Sequence, residues 1–206
     1  MVDRFEDKAE GWDAQPVPVQ ISRGVGAAML RAVALSSTDV VMDFGAGTGL
    51  ICGQLAGHVA KVLAVDVSPA MLAQLRAKPE LAGKVETRCQ DILEAPLGET
   101  VDLVVSAMAM HHVADTAALL RALHDHLAPG GRLALADLDT EDGDFHPANA
   151  EGVFHLGFDR DALRGLLEAA GFVGVTFETA CTVQREGKDY PIFLVTAARA
   201  AAAVAA

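Results

Sequence analysis

One local feature narrows the fold more than any other: a short apolar run, Val40-Val41-Met42-Asp43-Phe44, that stops at Gly45-Ala46-Gly47-Thr48-Gly49. A continuous run of this length predicts a strand buried on both faces, and such strands belong to parallel sheets covered by helices on either side. Glycines at its end admit positive φ in a tight turn and let a ligand touch bare backbone. The pattern recurs. Val62-Leu63-Ala64-Val65-Asp66 is a second run, residues 85–89 a weaker third, 101–107 a fourth and 132–138 a fifth.

Between the runs the texture is helical. Residues 50–60 have helical composition, and Ser68 followed by Pro69 gives an N-cap with proline at the first helical position, ahead of Met71, Leu72 and Leu75. Asp115 caps a helix whose Leu119, Leu120, Leu123 and Leu127 face a core, ended by Pro129-Gly130-Gly131. Strand–helix alternation at this pace predicts right-handed crossovers in one parallel sheet. The flanks differ. Residues 1–19 read as irregular and 20–35 as a helix, in which Gly24 and Gly26 lower propensity so that packing must hold it. After a loop rich in Asp, Gly and His (139–158) comes a helix over 159–170 closed by Gly171. Two β-rich runs, 173–183 and 190–196, then flank a short polar gap and predict an antiparallel hairpin.

Composition removes several function classes. Sixteen Lys and Arg against 28 Asp and Glu leave a net charge of −12, without a basic patch, which repels a phosphate-rich partner and argues against nucleic acid. The three cysteines, Cys52, Cys89 and Cys181, lie far apart and offer neither a disulfide framework nor a zinc spacing, as suits a reducing compartment. No secretory leader opens the chain, and no apolar run approaches the ~20 residues that span a bilayer. The expectation is a cytoplasmic chain without membrane insertion.

The glycine loop gains meaning from the acids around it. Asp66 ends the second run, where a carboxylate can accept both hydroxyls of a ribose. Asp91 follows the third run and can reach an exocyclic amine; either acid can instead cap the helix that follows it. Together the loop and the acids at successive strand ends predict a nucleoside site. The spacing is G-x-G-x-G: a dinucleotide fingerprint needs its third glycine where Leu50 stands, and no Lys-Ser/Thr follows to make a P-loop.

At this point the chain resembles the class I S-adenosylmethionine-dependent methyltransferases. The matching segments are Val40 through Gly49, Val62 through Asp66, Gln90-Asp91-Ile92, Asp102-Leu103-Val104-Val105-Ser106 and Leu127-Ala128-Pro129-Gly130-Gly131-Arg132-Leu133, in the family's order over about residues 36–200. Phe5-Glu6-Asp7-Lys8-Ala9 with Trp12-Asp13 is similar to the small-molecule members of the ubiquinone/menaquinone-biosynthesis kind. The resemblance implies a Rossmann-like, doubly wound, mostly parallel seven-stranded sheet with the hairpin at its C-terminal end. It implies one domain over 1–206, with residues 1–35 covering the site, 139–158 on the acceptor side and 200–206 a frayed tail. It also implies roles. Gly45, Ala46, Gly47 and Gly49 lie against the methionine and ribose portions of S-adenosylmethionine, and Asp43 helps hold the methionyl ammonium through water. Asp66 binds the ribose diol, Val67 and Met71 pack on the adenosine, and Asp91 with the Ile92 backbone fixes the adenine. Ser106 or Ala107 lies beneath the methionyl group.

Methyl transfer to O, N, S or C needs alignment and, for an acceptor that must lose a proton, a base. His111 and His112, after the fourth strand, and His155, in the loop after the fifth, are the candidates, with His146 in the same loop and Asp137 as a competing base. His58, His124 and His126 read as solvent or packing positions, and no helix-spaced ligand pair supports a metal. The stretch Ser106-Ala107-Met108-Ala109 lacks the aromatic that stacks a nucleic-acid base. A small acceptor is therefore expected, in a pocket made apolar by Phe145, Phe154, Phe158, Met108 and Met110, and the enzyme is expected to be a monomer or homodimer. Two alternatives share the sheet: an NAD(P)-dependent oxidoreductase, and a non-catalytic protein that binds S-adenosylmethionine to regulate a partner.

Overall fold

The computed structural model describes residues 3–147 and 150–202; most of the alanine-rich tail lies outside them. Seven strands form one sheet in the order β3-β2-β1-β4-β5-β7-β6. These are β1 (Val40–Phe44), β2 (Lys61–Asp66), β3 (Val85–Cys89), β4 (Val101–Ala107), β5 (Leu127–Leu138), β6 (Phe172–Arg185) and β7 (Lys188–Arg199). β1 to β5 are parallel, whereas β7 runs antiparallel to both β5 and β6. The strand order reverses between β1 and β4, and in open α/β sheets ligands bind outside the carboxyl ends of the strands at that switch point.

Residues alternate between the two faces, as a period of two requires. After a short α1 (Glu6–Ala9), the helices α2 (Pro16–Ala32), α3 (Cys52–Leu55) and α4 (Pro69–Arg76) join one apolar layer with Val41, Val62, Ala64, Leu103 and Val105. Met42, Leu63, Val65 and Val104 face the other, under α5 (Thr116–His126) and α6 (Arg160–Ala169). The two expected caps are present: Ser68 Oγ accepts from Met71 N at 3.1 Å and Asp115 Oδ1 from Ala118 N at 2.8 Å; Asp159, read as the first helical residue, is a further N-cap and accepts from Ala162 N at 2.8 Å.

Four boundaries differ from the sequence reading. α2 begins at Pro16, because Pro16 and Pro18 sit in a first turn whose N–H groups have no intrahelical partner anyway. Its glycines are close-approach positions: a Cβ at Gly24 would lie 2.5 Å from Cys181 Cβ, and one at Gly26 2.2 Å from Gln54 Oε1. The helix expected over 50–60 shrinks to α3, since Gly53 and Gly57 weaken it and the chain must turn back at once into β2. β5 starts at Leu127, with Pro129-Gly130-Gly131 carried as a register shift opposite Val101 and Leu103. The last hairpin is longer than expected, because Glu186 (φ 52°) and Gly187 (φ 80°) close it in two residues.

Candidate functional site

A cavity of about 740 Å³ opens at the switch point, walled by the ends of β1, β2, β3 and β4, by N-terminal residues including Phe5, Trp12 and Ile21, and by the loop containing Phe145 and His146. The turn after β1 forms its floor. Gly45, Gly47 and Gly49 all have positive φ (68°, 55° and 84°), yet each is glycine for a different steric reason. A Cβ at Gly45 would stand 2.3 Å from Ala109 Cβ, so this residue lets β1 close against the segment after β4. A Cβ at Gly49 would strike Leu75 at 2.8 Å, so that residue admits α4 and lies outside the cavity wall. Gly47 has nothing within 4 Å of its Cβ position and lines the cavity.

The acids surround this bare backbone. Asp66 Oδ2 accepts from Gly47 N at 2.7 Å and Oδ1 from Ser68 N at 2.8 Å, which ties the loop to the end of β2. Each oxygen keeps a further acceptor site for a ligand. Burial raises the Asp66 carboxyl above its ordinary value, while the backbone donors from Ser68 and Gly47 pull it back down. Asp43 is 1% exposed; burial pushes its carboxyl up to about 7, against a thiol hydrogen bond from Cys52 Sγ (3.1 Å) and with the charge of Asp66 adding to the rise. No cation partners Asp43 among the described residues, so a cationic ligand group would complete it. Asp91 accepts from Leu93 N at 2.9 Å and lines the cavity with Val67 and Leu93, two side chains left 47% and 40% exposed. Apolar side chains this open beside a carboxylate suit the faces of a flat heterocycle.

Several sequence-named residues lie outside the cavity wall. Gly49 is one. Ser106 is buried and its hydroxyl donates to Phe44 O at 2.7 Å, clamping β4 to β1. The Ile92 side chain belongs to the core beneath α5. His155 Nε2 meets Val113 O at 3.0 Å and Thr116 Oγ1 at 3.2 Å, and its ring packs on Phe158. In this position it pins the loop to the start of α5. Ala46, Met71 and Ala107 line the cavity, as do Met108, Phe145 and Phe154, whereas Phe158 and Met110 are core residues.

His111 and His112 do reach the site, on a 3₁₀ turn over Met110–His112. His111 Nδ1 lies 2.7 Å from Oδ1 of Asp137, a fully buried carboxylate that also accepts from His111 N and Leu138 N. His112 Nδ1 meets Gly152 O at 2.8 Å, and its ring stands edge-on to Phe5. Burial, and then the neighbouring His111, push the imidazole of His112 down to about 4; His146 is pushed down to about 4 by the same two causes in that order. Among the described residues no three His, Cys, Asp or Glu side chains form a metal-holding group.

Met108, expected in the pocket, has φ 58°, a strained position for a non-glycine residue that turns the chain at the end of β4, and no sequence signal marks that conformation. The sequence reading missed what holds the N-terminal residues against the wall. The N-terminal segment is tied down by Asp3, which accepts from Ser68 Oγ at 2.8 Å. Asp13 accepts from Thr48 Oγ1 at 2.5 Å and pairs with Lys78. No local pattern reports such long-range partners.

Comparison with known proteins agrees with this geometry. A family model described as a methyltransferase domain matches residues 41–131. An uncharacterized methyltransferase of Mycobacterium tuberculosis is 34% identical over 131 residues, 63% of this chain and 62% of that one. The demethylmenaquinone methyltransferase of Mycolicibacterium vanbaalenii is 34% identical over 113 residues, 53% of this chain and 46% of that one. The chain thus spans about three fifths or less of the length of these relatives. The N-methyltransferase NodS of Bradyrhizobium japonicum, solved with S-adenosyl-L-homocysteine, superposes with a TM-score of 0.71 at 18% identity, over 96% of this chain and 94% of that one. No helix among the described residues is long and apolar enough to cross a membrane.

Proposed function

We propose that the chain, similar over residues 41–131 to a methyltransferase domain and sharing the fold of S-adenosylmethionine-dependent methyltransferases, is a class I enzyme of that kind that transfers a methyl group from S-adenosylmethionine to a small-molecule acceptor and releases S-adenosylhomocysteine. One observation carries this reading: the bare backbone at Gly47 and the carboxylates of Asp43, Asp66 and Asp91 meet in one cavity whose other walls are largely apolar and aromatic.

The donor fits what is present. Asp43, buried and short of a cation, suits the methionyl ammonium, held through water. The free acceptor sites of Asp66 suit a ribose diol, and Asp91 between Val67 and Leu93 suits an adenine with its exocyclic amine. The sulfonium supplies an already activated methyl group. The chain therefore has to align the acceptor within ~3–3.5 Å of it and exclude water. Asp3 and Asp13 hold the N-terminal residues where Phe5 and Trp12 wall the cavity, which serves that exclusion.

The acceptor is small and apolar or aromatic on this reading. Support comes from the net charge of −12, which opposes a nucleic-acid partner, and from Phe5, Met108, Phe145 and Phe154 in the lining. Three unpaired cysteines accord with a cytoplasmic setting, in which the enzyme works as a monomer or homodimer. Calorimetric titration tests the proposal: S-adenosylhomocysteine binds with micromolar affinity and NADH gives no heat. The reverse result makes the protein an oxidoreductase. Binding of S-adenosylhomocysteine without transfer to any member of an acceptor panel removes the catalytic half of the reading.

A further inference from the structure

The cavity holds two buried nitrogens that nothing satisfies: among the described residues, neither Nε2 of His111 nor Nε2 of His146 has a hydrogen-bond partner. Their rings lie 4.9 Å apart, centroid to centroid, and both line the cavity. Buried polar atoms in native proteins are nearly always paired, so two orphans side by side mark a place kept for a ligand group.

The chemistry of that group follows from which nitrogens carry hydrogen. Asp137 is fully buried and already takes two backbone N–H donors, so it is held as an acceptor; Nδ1 of His111 is therefore the N–H, and its Nε2 offers a lone pair. His146 is neutral above about pH 4 and has one N–H to give. A hydroxyl complements both, since its hydrogen goes to His111 Nε2 while its oxygen accepts from His146. A thiol is a weak donor and a weak acceptor, and a neutral amine that gives its single lone pair to His146 has none left for the methyl carbon, whereas a hydroxyl oxygen has two. The adjoining side chains are rings: His112 lies 4.1 Å from His111, and Phe145 stands edge-on to His146 at 5.0 Å.

We propose, resting on the methyltransferase reading, that the acceptor is a hydroxylic compound of phenol type, with His111 as the base that takes its proton, Asp137 positioning that base, and His146 orienting the oxygen. As the acceptor oxygen bonds to the methyl carbon, the carbon–sulfur electron pair returns to sulfur and the O–H proton passes to His111 Nε2. Asp137 balances the imidazolium so formed, and the proton leaves to water when product departs. A phenol ionises near pH ~10, so it gains from a base at neutral pH in a way that a thiol does not. His112, with Nδ1 committed to Gly152 and its basicity suppressed by burial, is not the base.

The test uses 4-nitrophenol, whose phenolate is yellow, added to protein saturated with S-adenosylhomocysteine. Bound probe ionises at least one pH unit below free probe. His111→Gln abolishes that shift while S-adenosylhomocysteine affinity stays within about threefold. In ¹⁵N spectra of histidine-labelled protein, His111 shows a protonated Nδ1 and a bare Nε2, and Asp137→Asn disturbs this tautomer together with the probe's shift. With S-adenosylmethionine, phenols are methylated in preference to primary amines and thiols. His111→Gln lowers kcat by at least ~10²-fold, the scale of general-base catalysis, with KM for the donor unchanged. The proposal is overturned if 4-nitrophenol fails to bind, if it ionises alike in wild type and His111→Gln, or if amines or thiols are the preferred acceptors. Loss of S-adenosylhomocysteine binding by the wild-type protein would instead refute the methyltransferase reading on which the dyad rests.

Discussion

Replacing Gly45 and Gly47 separately by alanine divides what the glycine turn does for folding from what it does for binding. Both residues sit at positive φ, 68° and 55°, where a Cβ costs ~1–2 kcal/mol of backbone strain. At Gly45 the new methyl would also lie 2.3 Å from Ala109 Cβ, against an ordinary carbon–carbon contact of ~3.5–4.0 Å. Ala109 has no flexible end to swing aside, so two backbone segments must part by ~1 Å, and overpacking of this kind costs a further ~1–3 kcal/mol. Gly45→Ala is thus expected to lose ~2–5 kcal/mol, which at ~2–4 °C per kcal/mol for a domain of this size lowers Tm by ~4–20 °C. Gly47→Ala meets nothing within 4 Å and is expected to lose only the strain, ~1–2 kcal/mol and ~2–8 °C. Its methyl nevertheless enters the cavity, so S-adenosylhomocysteine affinity falls at least tenfold. Thermal unfolding and calorimetry on the same two samples decide the matter. A Gly45→Ala protein as stable as wild type, or a Gly47→Ala protein that binds normally, refutes the assignment of one glycine to packing and the other to the ligand.

Asp66→Ala weakens S-adenosylhomocysteine by about 1.5–3 kcal/mol, the scale of hydrogen bonds to a charged group; unchanged affinity by calorimetry removes this residue from the ribose site. Asp43 titrates near 7 in the folded protein against an ordinary 3.8. Its contribution to stability is thus fully present below about pH 4 and fades as pH rises through 7, and because the ligand ammonium favours the ionised form, binding at pH 6 releases a proton. Titrations in buffers of different ionisation enthalpy measure that release, which Asp43→Asn abolishes; equal release from the variant would assign the proton elsewhere. His155→Ala costs about 1 kcal/mol in denaturant unfolding, the worth of the one hydrogen bond that Nε2–H shares between Val113 O and Thr116 Oγ1, and leaves S-adenosylhomocysteine affinity untouched. Asp13→Ala frees Thr48 and Lys78 and speeds amide exchange over residues 5–14, whereas unchanged exchange would show that Asp13 does not tether this segment.

What could be read along the chain was what depends on near neighbours. Four of the parallel strands, β1, β2, β4 and β5, announce themselves because a strand buried on both faces must be largely apolar; β3, with Glu86 and Arg88 at the sheet edge, shows only weakly. The caps at Ser68 and Asp115 announce themselves because a side chain one turn away satisfies the helix's free N–H groups. Spacing alone also separated the glycine turn from a dinucleotide fingerprint, since Leu50 stands where a third glycine would be needed. Pro16 and Pro18 misled, because a proline outside a helix and one in its first turn look alike until the rest of the helix is placed.

The sequence by itself determined the layered sheet, its antiparallel finish and the ring of glycines and acids at the strand ends, because hydrophobic period, turn chemistry and capping act over a few residues. Only the tertiary structure decided which histidine has a purpose at the cavity. His111, His112, His146 and His155 carry the same imidazole, and nothing beside them in the chain tells them apart. Folding places Asp137 against the first, Gly152 O against the second and Val113 O against the last, and leaves the Nε2 atoms of His111 and His146 bare. Hydrogen-bond partners 26 to 42 residues away are set by how the sheet brings its strand ends together, and an imidazole's role follows from those partners.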